Sequence, residues 1–323
     1  MLDRLDAFQR RHPAAGFPLA VLYKFFDDQG GYLAALIAYY GFLSLFPLLL
    51  LSTTVLGIVL QGDPELQRRI LDSALSQFPV IGDDLGTPDG IGGGSTGVVI
   101  GVLGSLYGGL GVAQAIQNAM NVAWAVPRNS RPNPFLVRGK SLVLLLIVGL
   151  SVIATTALTA LAAAVDVVPV VVLVLSVALN AGVFVLAFRF AAARALSVRD
   201  VAPGAIAAAV MWQVLQSFGA AYVQNVVQGS SATNGTFALV LGLLAFLYLA
   251  SFVVVLCVEV NVVRVERLHP RALLTPFTDD VDLTRGDRSA YTQLAAKERT
   301  KGFERVDVTF EPEEEDKQRS DGP

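Results

Sequence analysis

The sequence VAPGAIAAAVMWQVLQSFGAAYVQNVVQGSSATNGTFALVLGLLAFLYLASFVVVLCV, residues 201–258, runs for 58 residues without a charged side chain. A helix needs about 20 predominantly apolar residues to cross a bilayer, so this stretch is long enough for two crossings. Its middle, QGSSATNG at residues 228–235, is polar and rich in turn-forming residues. The stretch therefore predicts two transmembrane helices joined by a short turn.

Shorter uncharged stretches precede this one, and each is long enough for one further span. They lie between Asp28 and Asp63, between Asp89 and Arg128, between Lys140 and Asp166, and between Asp166 and Arg189. The sequence thus predicts an all-α, polytopic membrane protein. Its six transmembrane helices are expected near residues 33–60, 97–123, 141–165, 168–188, 203–227 and 236–258.

The composition excludes a purely soluble protein. Apolar residues make up 54% of the 323 residues and charged residues only 16%, whereas soluble domains carry about 25% charge. Residues 266–323 hold 24 of the 51 charges. Three regions follow: an N-terminal interfacial segment (1–32), a transmembrane domain (33–265) with an external amphipathic loop (61–96), and a charged cytoplasmic tail (266–323) that is predicted to be disordered.

The distribution of basic residues predicts the orientation. The N-terminal segment and the second and fourth connections together hold 11 Lys and Arg residues, while the first, third and fifth connections hold only 2. Because basic residues are retained on the cytoplasmic side, both termini are expected in the cytoplasm. Residues 17–26, with Tyr23, Phe25 and Phe26, favour a short interfacial helix before the first span.

The sequence does not have the residues that catalysis on a metal or a nucleotide would require. Its two histidines, His12 and His269, are isolated from each other and from acidic ligands. The glycine-rich run from Gly104 to Gly111 has no Lys-Ser/Thr partner for a phosphate. We therefore expect no enzyme, no cofactor and no metal site, and without a basic groove no nucleic-acid partner.

The glycines and prolines of the spans predict helix packing and kinks. Small residues four apart let helix backbones approach closely in a membrane, and a proline inside a helix removes a hydrogen bond. The residues assigned to these roles are Gly97, Gly101, Gly104, Gly108, Pro47 and Pro203.

Polar side chains inside the spans form patterned faces. Amides that face lipid are costly, so these faces should point into the bundle. They indicate either hydrogen bonding between helices or a polar groove between the first, second, fifth and sixth spans. The candidate groove residues are Tyr40, Ser44, Gln114, Gln117, Asn118, Asn121, Gln213, Gln216 and Gln224.

Glu259 and Asn261 extend this candidate path near the cytoplasmic end of the last span. Glu259 either anchors the helix by pairing with Arg189, Arg194 or Arg264, or serves as a proton site, cation site or gate.

Several stretches resemble the YihY/BrkB family of bacterial inner-membrane proteins. The first is LAALIAYYGFLSLFPLLL at residues 33–50, and the second runs from VAPGA at 201–205 through Trp212 and Tyr222 to VEVN at 258–261; Asn118 to Trp124 adds a shorter match. The likeness covers about residues 15–268. It implies a six-helix inner-membrane protein, in a family whose members have been described as ribonucleases, virulence factors, transporters or lipid exporters.

Two functions remain open at this stage. The first is a transporter or exporter of an amphipathic envelope component, such as a lipid, through the polar groove. The second is a non-catalytic scaffold or envelope-integrity protein whose amides only fix helix packing. The expected partners are membrane lipids, together with a second copy of the chain or an envelope partner that binds the tail.

Overall fold

The computed structural model describes residues 2–59, 94–164, 168–222, 232–278 and 281–310. The amphipathic part of loop 61–96, the first half of the predicted turn 228–235 and the acidic end of the tail lie outside these residues, whereas residues 232–235 belong to a helix. The described chain forms α-helices and no strands, which confirms the all-α prediction. The helices are α1 (Leu2–Arg11), α2 (Pro13–Asp27), α3 (Gly30–Val59), α4 (Gly94–Ala123), α5 (Pro134–Ala164), α6 (Pro169–Ala191), α7 (Val198–Tyr222), α8 (Ala232–Val265) and α9 (Arg285–Ala296).

Helices α3 to α8 overlap the ranges predicted for the six spans, and the number of spans stays a prediction. Within the described residues, four segments are long and apolar enough to cross a membrane: Pro134–Thr155, Val170–Ala191, Val198–Gly219 and Val240–Val265. Helix α3 packs between α4 and α8, and α7 packs between α6 and α8. Helix α5 contacts α4 and α6, while the short α2 lies against α8 and the start of α3.

The ends of several helices are set by local sequence. Ser197 accepts a hydrogen bond from the Asp200 amide, and the Asp200 carboxylate accepts one from the Ser197 amide, at 3.3 and 2.8 Å. This reciprocal pair is a capping box, which satisfies two amides that the first turn of α7 leaves free. Asn133 caps α5 in a simpler way, because its side-chain oxygen accepts from the Leu136 amide at 2.9 Å.

Glycine permits the close approach of two helix pairs. A methyl group on Gly108 of α4 would lie 2.5 Å from the Cα of Ser44 in α3, and one on Gly111 would overlap the Tyr40 ring. A methyl group on Gly204 of α7 would overlap the Cys257 carbonyl and the Asn261 amide of α8. Gly101 is buried and Gly104 is half-buried in α4, while the surroundings of Gly97 and Pro47 lie outside the described side chains.

The charged segment after α8 is folded over residues 281–310, so the prediction of a disordered tail was wrong for this part. Helix α9 begins with a capping box between Thr284 and Asp287, and Asp287 is fully buried. We call residues 266–278 and 281–310 the cap. A high density of charged residues is typical of a solvated, disordered segment, but several of the charges in this segment are buried in pairs.

Arg271 is the centre of the cap. Its guanidinium is fully buried, with Nε 2.5 Å from Asp287 Oδ1 and Nη1 3.1 Å from Asp27 Oδ2. Burial alone would lower the pKa of Arg271, but the carboxylates of Asp27 and Asp287 outweigh it and raise the pKa. The guanidinium therefore remains charged, and it joins the cap to the end of α2.

Further contacts fasten the cap to the N-terminal segment and to two connections between spans. Gln9 donates to the Arg271 carbonyl at 2.6 Å, and Tyr23 donates to the Leu273 carbonyl. Ion pairs also join the cap to the α4–α5 and α6–α7 connections, namely Glu298 with Arg128 at 2.6 Å and Glu266 with Arg194 at 2.7 Å. The cap, the N-terminal segment and these connections thus lie at one end of the bundle.

The close packing of α7 on α8 predicts the effect of a single methyl group. Gly204→Ala should lower the free energy of unfolding by about 1–3 kcal/mol, because the added group must displace backbone atoms. Gly182→Ala in α6 is the matched control, since a methyl group there meets nothing within 4 Å. Thermal unfolding of the purified protein in detergent measures both; equal midpoints for the two variants would contradict the packing argument.

The buried guanidinium predicts a second effect, on the cap. Arg271→Met should cost about 3–5 kcal/mol, because it leaves the Asp287 carboxylate buried without a counter-charge. Limited proteolysis should then cleave within residues 266–310 much faster than in the wild type. Arg305→Met is the control, because its pair with Asp307 is exposed and such pairs contribute little. Unchanged cleavage in the Arg271 variant would show that the pair does not hold the cap.

Candidate functional site

Asn261 forms a hydrogen-bonded junction between α7 and α8. Its side-chain oxygen accepts from the Gly204 amide at 2.7 Å, and its Nδ2 donates to the Val201 carbonyl at 3.0 Å. Pro203 lies between these two residues and has no N–H to donate, so the carbonyl of Arg199 four residues earlier loses its helical partner. Arg264 of α8 donates to the Arg199 carbonyl and to the Asp200 carbonyl. Both amide atoms of Asn261 are therefore used to join the helices.

Gln117 joins α4 to α5 in the same manner. Its Nε2 lies 2.9 Å from Ser141 Oγ and 3.2 Å from the Val137 carbonyl. Gln117 is buried, and the Ser141 hydroxyl in turn donates a hydrogen bond to the Val137 carbonyl. The amide thus satisfies polar groups on two neighbouring helices.

Asn118 and Asn121 bind the connections at the end of α4. Asn118 Oδ1 accepts from Arg131 Nη1 at 3.2 Å, and Asn121 Oδ1 accepts from the Ala193 amide at 2.8 Å. Arg131 belongs to the α4–α5 connection and Ala193 to the α6–α7 connection. Three of the four amides predicted to share a face of α4 are thus engaged in local hydrogen bonds.

The remaining candidate groove residues lie in different surroundings. Gln114 is exposed on α4, about nine residues from the end that faces the cap. Tyr40 is half-buried against Gly111 and edge-on to Tyr107, while the Ser44 hydroxyl donates to the Gly41 carbonyl at 2.9 Å. Gln213 and Gln216 are half-buried on α7, and Gln224 lies outside the described residues.

Glu259 lies in a cluster of buried charges that the sequence does not predict. Its carboxylate is fully buried, and within the described residues neither oxygen accepts a hydrogen bond. The Lys24 ammonium of α2 lies 3.7 Å from Glu259 Oε2. The sequence suggested Arg189, Arg194 or Arg264 as partners, but Arg189 and Arg264 bond backbone carbonyls and Arg194 pairs with Glu266.

Lys24 and Lys297 share the carboxylate of Asp28. Lys24 Nζ bonds Asp28 Oδ2 and lies 3.1 Å from the Ala123 carbonyl at the end of α4. Lys297, at the end of α9, lies 2.8 Å from Asp28 Oδ1. Burial lowers the pKa of Lys24, but Glu259 and Asp28 outweigh it and raise the pKa. We call Lys24, Asp28, Glu259 and Lys297 the buried charge cluster.

One signal in the sequence could have pointed to this cluster, because Lys24 and Asp28 are four residues apart, which places them on one helix face. A second signal could have pointed to the folded cap, because Thr284 and Asp287 have the spacing of a capping box. The pairing of Lys24 with Glu259 and of Asp28 with Lys297, more than 230 positions apart, had no such signal. Within the described residues, no group of three His, Cys, Asp or Glu side chains is arranged to hold a metal ion.

The long apolar helices, joined by buried side-chain hydrogen bonds, define a polytopic helical membrane protein. A family model described as virulence factor BrkB matches residues 21–279. The chain therefore belongs to the BrkB family, which confirms the resemblance seen in residues 15–268. Comparison with curated proteins and with solved structures found no match.

The bonds of Gln117 predict a structural role for this residue. Gln117→Leu should lower the free energy of unfolding by about 1–3 kcal/mol, since it removes the amide shared by α4 and α5 and leaves polar partners buried. Gln114→Leu, on the exposed side of the same helix, should leave the unfolding midpoint unchanged or slightly raised. Thermal unfolding in detergent compares the two variants, and equal losses would contradict this assignment.

Proposed function

We propose that this protein is a transporter or exporter of an amphipathic envelope component, such as a lipid, in the bacterial inner membrane. It would span the membrane six times with both termini in the cytoplasm. The contacts between the cap and the N-terminal segment support an even number of spans, because segments that touch lie on one side of the membrane. The excess of basic residues in the N-terminal segment and in the second and fourth connections favours the cytoplasm as that side.

The exposed amide of Gln114 is the observation that carries the transport proposal. It lies well inside α4, at a depth of about 14 Å if each residue of the helix rises 1.5 Å. An amide at this depth that is not used for packing is costly against lipid chains. Together with Tyr40 on α3 and the half-buried Gln213 and Gln216 on α7, it would let a polar head group pass while the apolar chains remain in the bilayer.

The alternative is a non-catalytic scaffold or envelope-integrity protein, and a different observation favours it. Gln117, Asn118, Asn121 and Asn261 all bond neighbouring backbone or side-chain groups. A bundle built only for rigidity would use its amides in this way. In that case the cap would be the surface that recruits an envelope partner or a second copy of the chain. Neither alternative requires a catalytic residue or a cofactor.

Lipid profiling of a deletion strain distinguishes the two functions. Deletion should change the amount or distribution of at least one envelope lipid, and the wild-type gene should restore it. Gln114→Leu should fail to restore it although the protein accumulates normally in the membrane, because the polar path loses its exposed amide.

Leu103→Ala is the matched control, since Leu103 is also exposed on α4 but apolar. It should complement as the wild type does. Full complementation by Gln114→Leu would favour the scaffold, and a deletion that alters no lipid or solute pool would count against transport.

A further inference from the structure

The buried charges at the capped end of the bundle do not balance when all of them are ionised. The buried charge cluster and the adjoining Arg271 network contain three cations, Lys24, Lys297 and Arg271. They contain four carboxylates, which belong to Asp27, Asp28, Asp287 and Glu259. The sum is one negative charge in a region from which water is largely excluded. A single bound proton would make it neutral.

Of the four carboxylates, Glu259 has the fewest neighbouring groups that would stabilise a negative charge. Asp28 bonds two ammonium groups, and Asp287 bonds Arg271, the Ala272 amide and Thr284. Glu259, in contrast, is fully buried and accepts no hydrogen bond within the described residues. An ionised carboxylate without hydrogen bonds is far more expensive to bury than a neutral carboxyl. The missing proton therefore belongs on Glu259.

A chain of charged groups connects Glu259 to the cytoplasmic surface. Lys297 Nζ lies 2.8 Å from Asp28 Oδ1, Asp28 Oδ2 bonds Lys24 Nζ, and Lys24 Nζ lies 3.7 Å from Glu259 Oε2. From the first of these charged groups to the last, the exposed fraction of the side chain falls overall from 10% at Lys297 to 0% at Glu259. The groups come from α2, α8 and the end of α9.

We propose that Glu259 is an exchangeable proton site, supplied from the cytoplasmic surface through Lys297, Asp28 and Lys24. In the transfer, the Lys24 ammonium first moves from 3.7 Å to within hydrogen-bond distance of Glu259 Oε2, and an N–H bond of Lys24 then breaks as an O–H bond forms on Oε2. The Lys24 amine recovers its proton by way of Asp28 and Lys297, and Lys297 takes one from water. One proton thus moves from water to Glu259.

The protonation changes how α2 and α8 are held together. A neutral Glu259 no longer attracts the Lys24 ammonium, while Asp28 and the Ala123 carbonyl still hold it. If the proposed transport is correct, on which this last step rests, the proton would be the ion that alternately tightens and loosens the α2–α8 contact during the cycle.

The test is infrared difference spectroscopy of the full chain reconstituted in phospholipid vesicles, recorded while the pH is changed. The wild type should show the carbonyl stretch of a protonated carboxyl that disappears as the pH rises, and Glu259→Gln should lack it. Glu266→Gln is the matched control, because this carboxylate pairs with Arg194 at the cytoplasmic end of the same region; its spectrum should keep the band. Lys24→Met, which removes the nearest cation, should keep the band to higher pH.

Absence of a band that depends on Glu259 at every pH from about 4 to 9, the range that spans ordinary and strongly raised glutamate pKa values, would overturn the proposal. A band that no pH change alters would overturn it as well, since the proton would not exchange. The outcome is independent of the lipid phenotype. If the band titrates while Gln114→Leu complements fully, the proton site stands and the transport proposal falls.

Discussion

The ammonium group of Lys24 is the interaction on which the capped end of the bundle depends. It lies between the Asp28 carboxylate, the Ala123 carbonyl and Glu259, and so it joins α2, the end of α4 and α8 through one atom. A lysine can be buried so completely only if its charge is matched, because the desolvation of an ammonium is otherwise prohibitive. The buried ammonium group of Lys297 also needs a counter-charge, and it pairs with the second oxygen of Asp28. The position of α9 thus follows from the charge that α2 brings into the interior.

A second constraint acts nearby, at the junction of α7 and α8. Pro203 removes an N–H from the start of α7 and leaves the Arg199 carbonyl without its helical partner. Arg264 of α8 donates to that carbonyl, and Asn261 bonds the Gly204 amide and the Val201 carbonyl beside it. Gly204 is required at the same place, because only a residue without a side chain lets the α8 backbone come close enough. Proline, glycine, asparagine and arginine therefore form one unit, although they lie about 60 residues apart.

The sequence predicted the helices well because the signal is local. An uncharged run of 20 or more residues indicates a span whatever its neighbours are, and a helix lies near each predicted position. The pairing of side chains is not local. Nothing in the sequence around Glu259 indicates Lys24 in place of the nearer arginines. The charged residues after 266 have the composition of a solvated tail, and only the burial of Arg271 and Asp287 distinguishes them from one. The sequence likewise could not distinguish the role of Gln117 from that of Gln114. Helical periodicity places residues on a face of the helix, but it does not show which other helix, if any, that face contacts.

The cap and the amide bonds divide the molecule into parts of different character. At the capped end, charges and amides bond groups from several elements, which favours a rigid assembly. Farther along α3 and α4, the contact relies on Gly108 and Gly111 fitting against Ser44 and Tyr40, and the nearby Gln114 is exposed. Close packing without hydrogen bonds can slide or open at lower cost than a network of buried charges, because no ion has to lose its partner. The α3–α4 contact is therefore held without buried ions, whereas separation of α2 from α8 at the capped end would part buried charges unless a proton first neutralises Glu259.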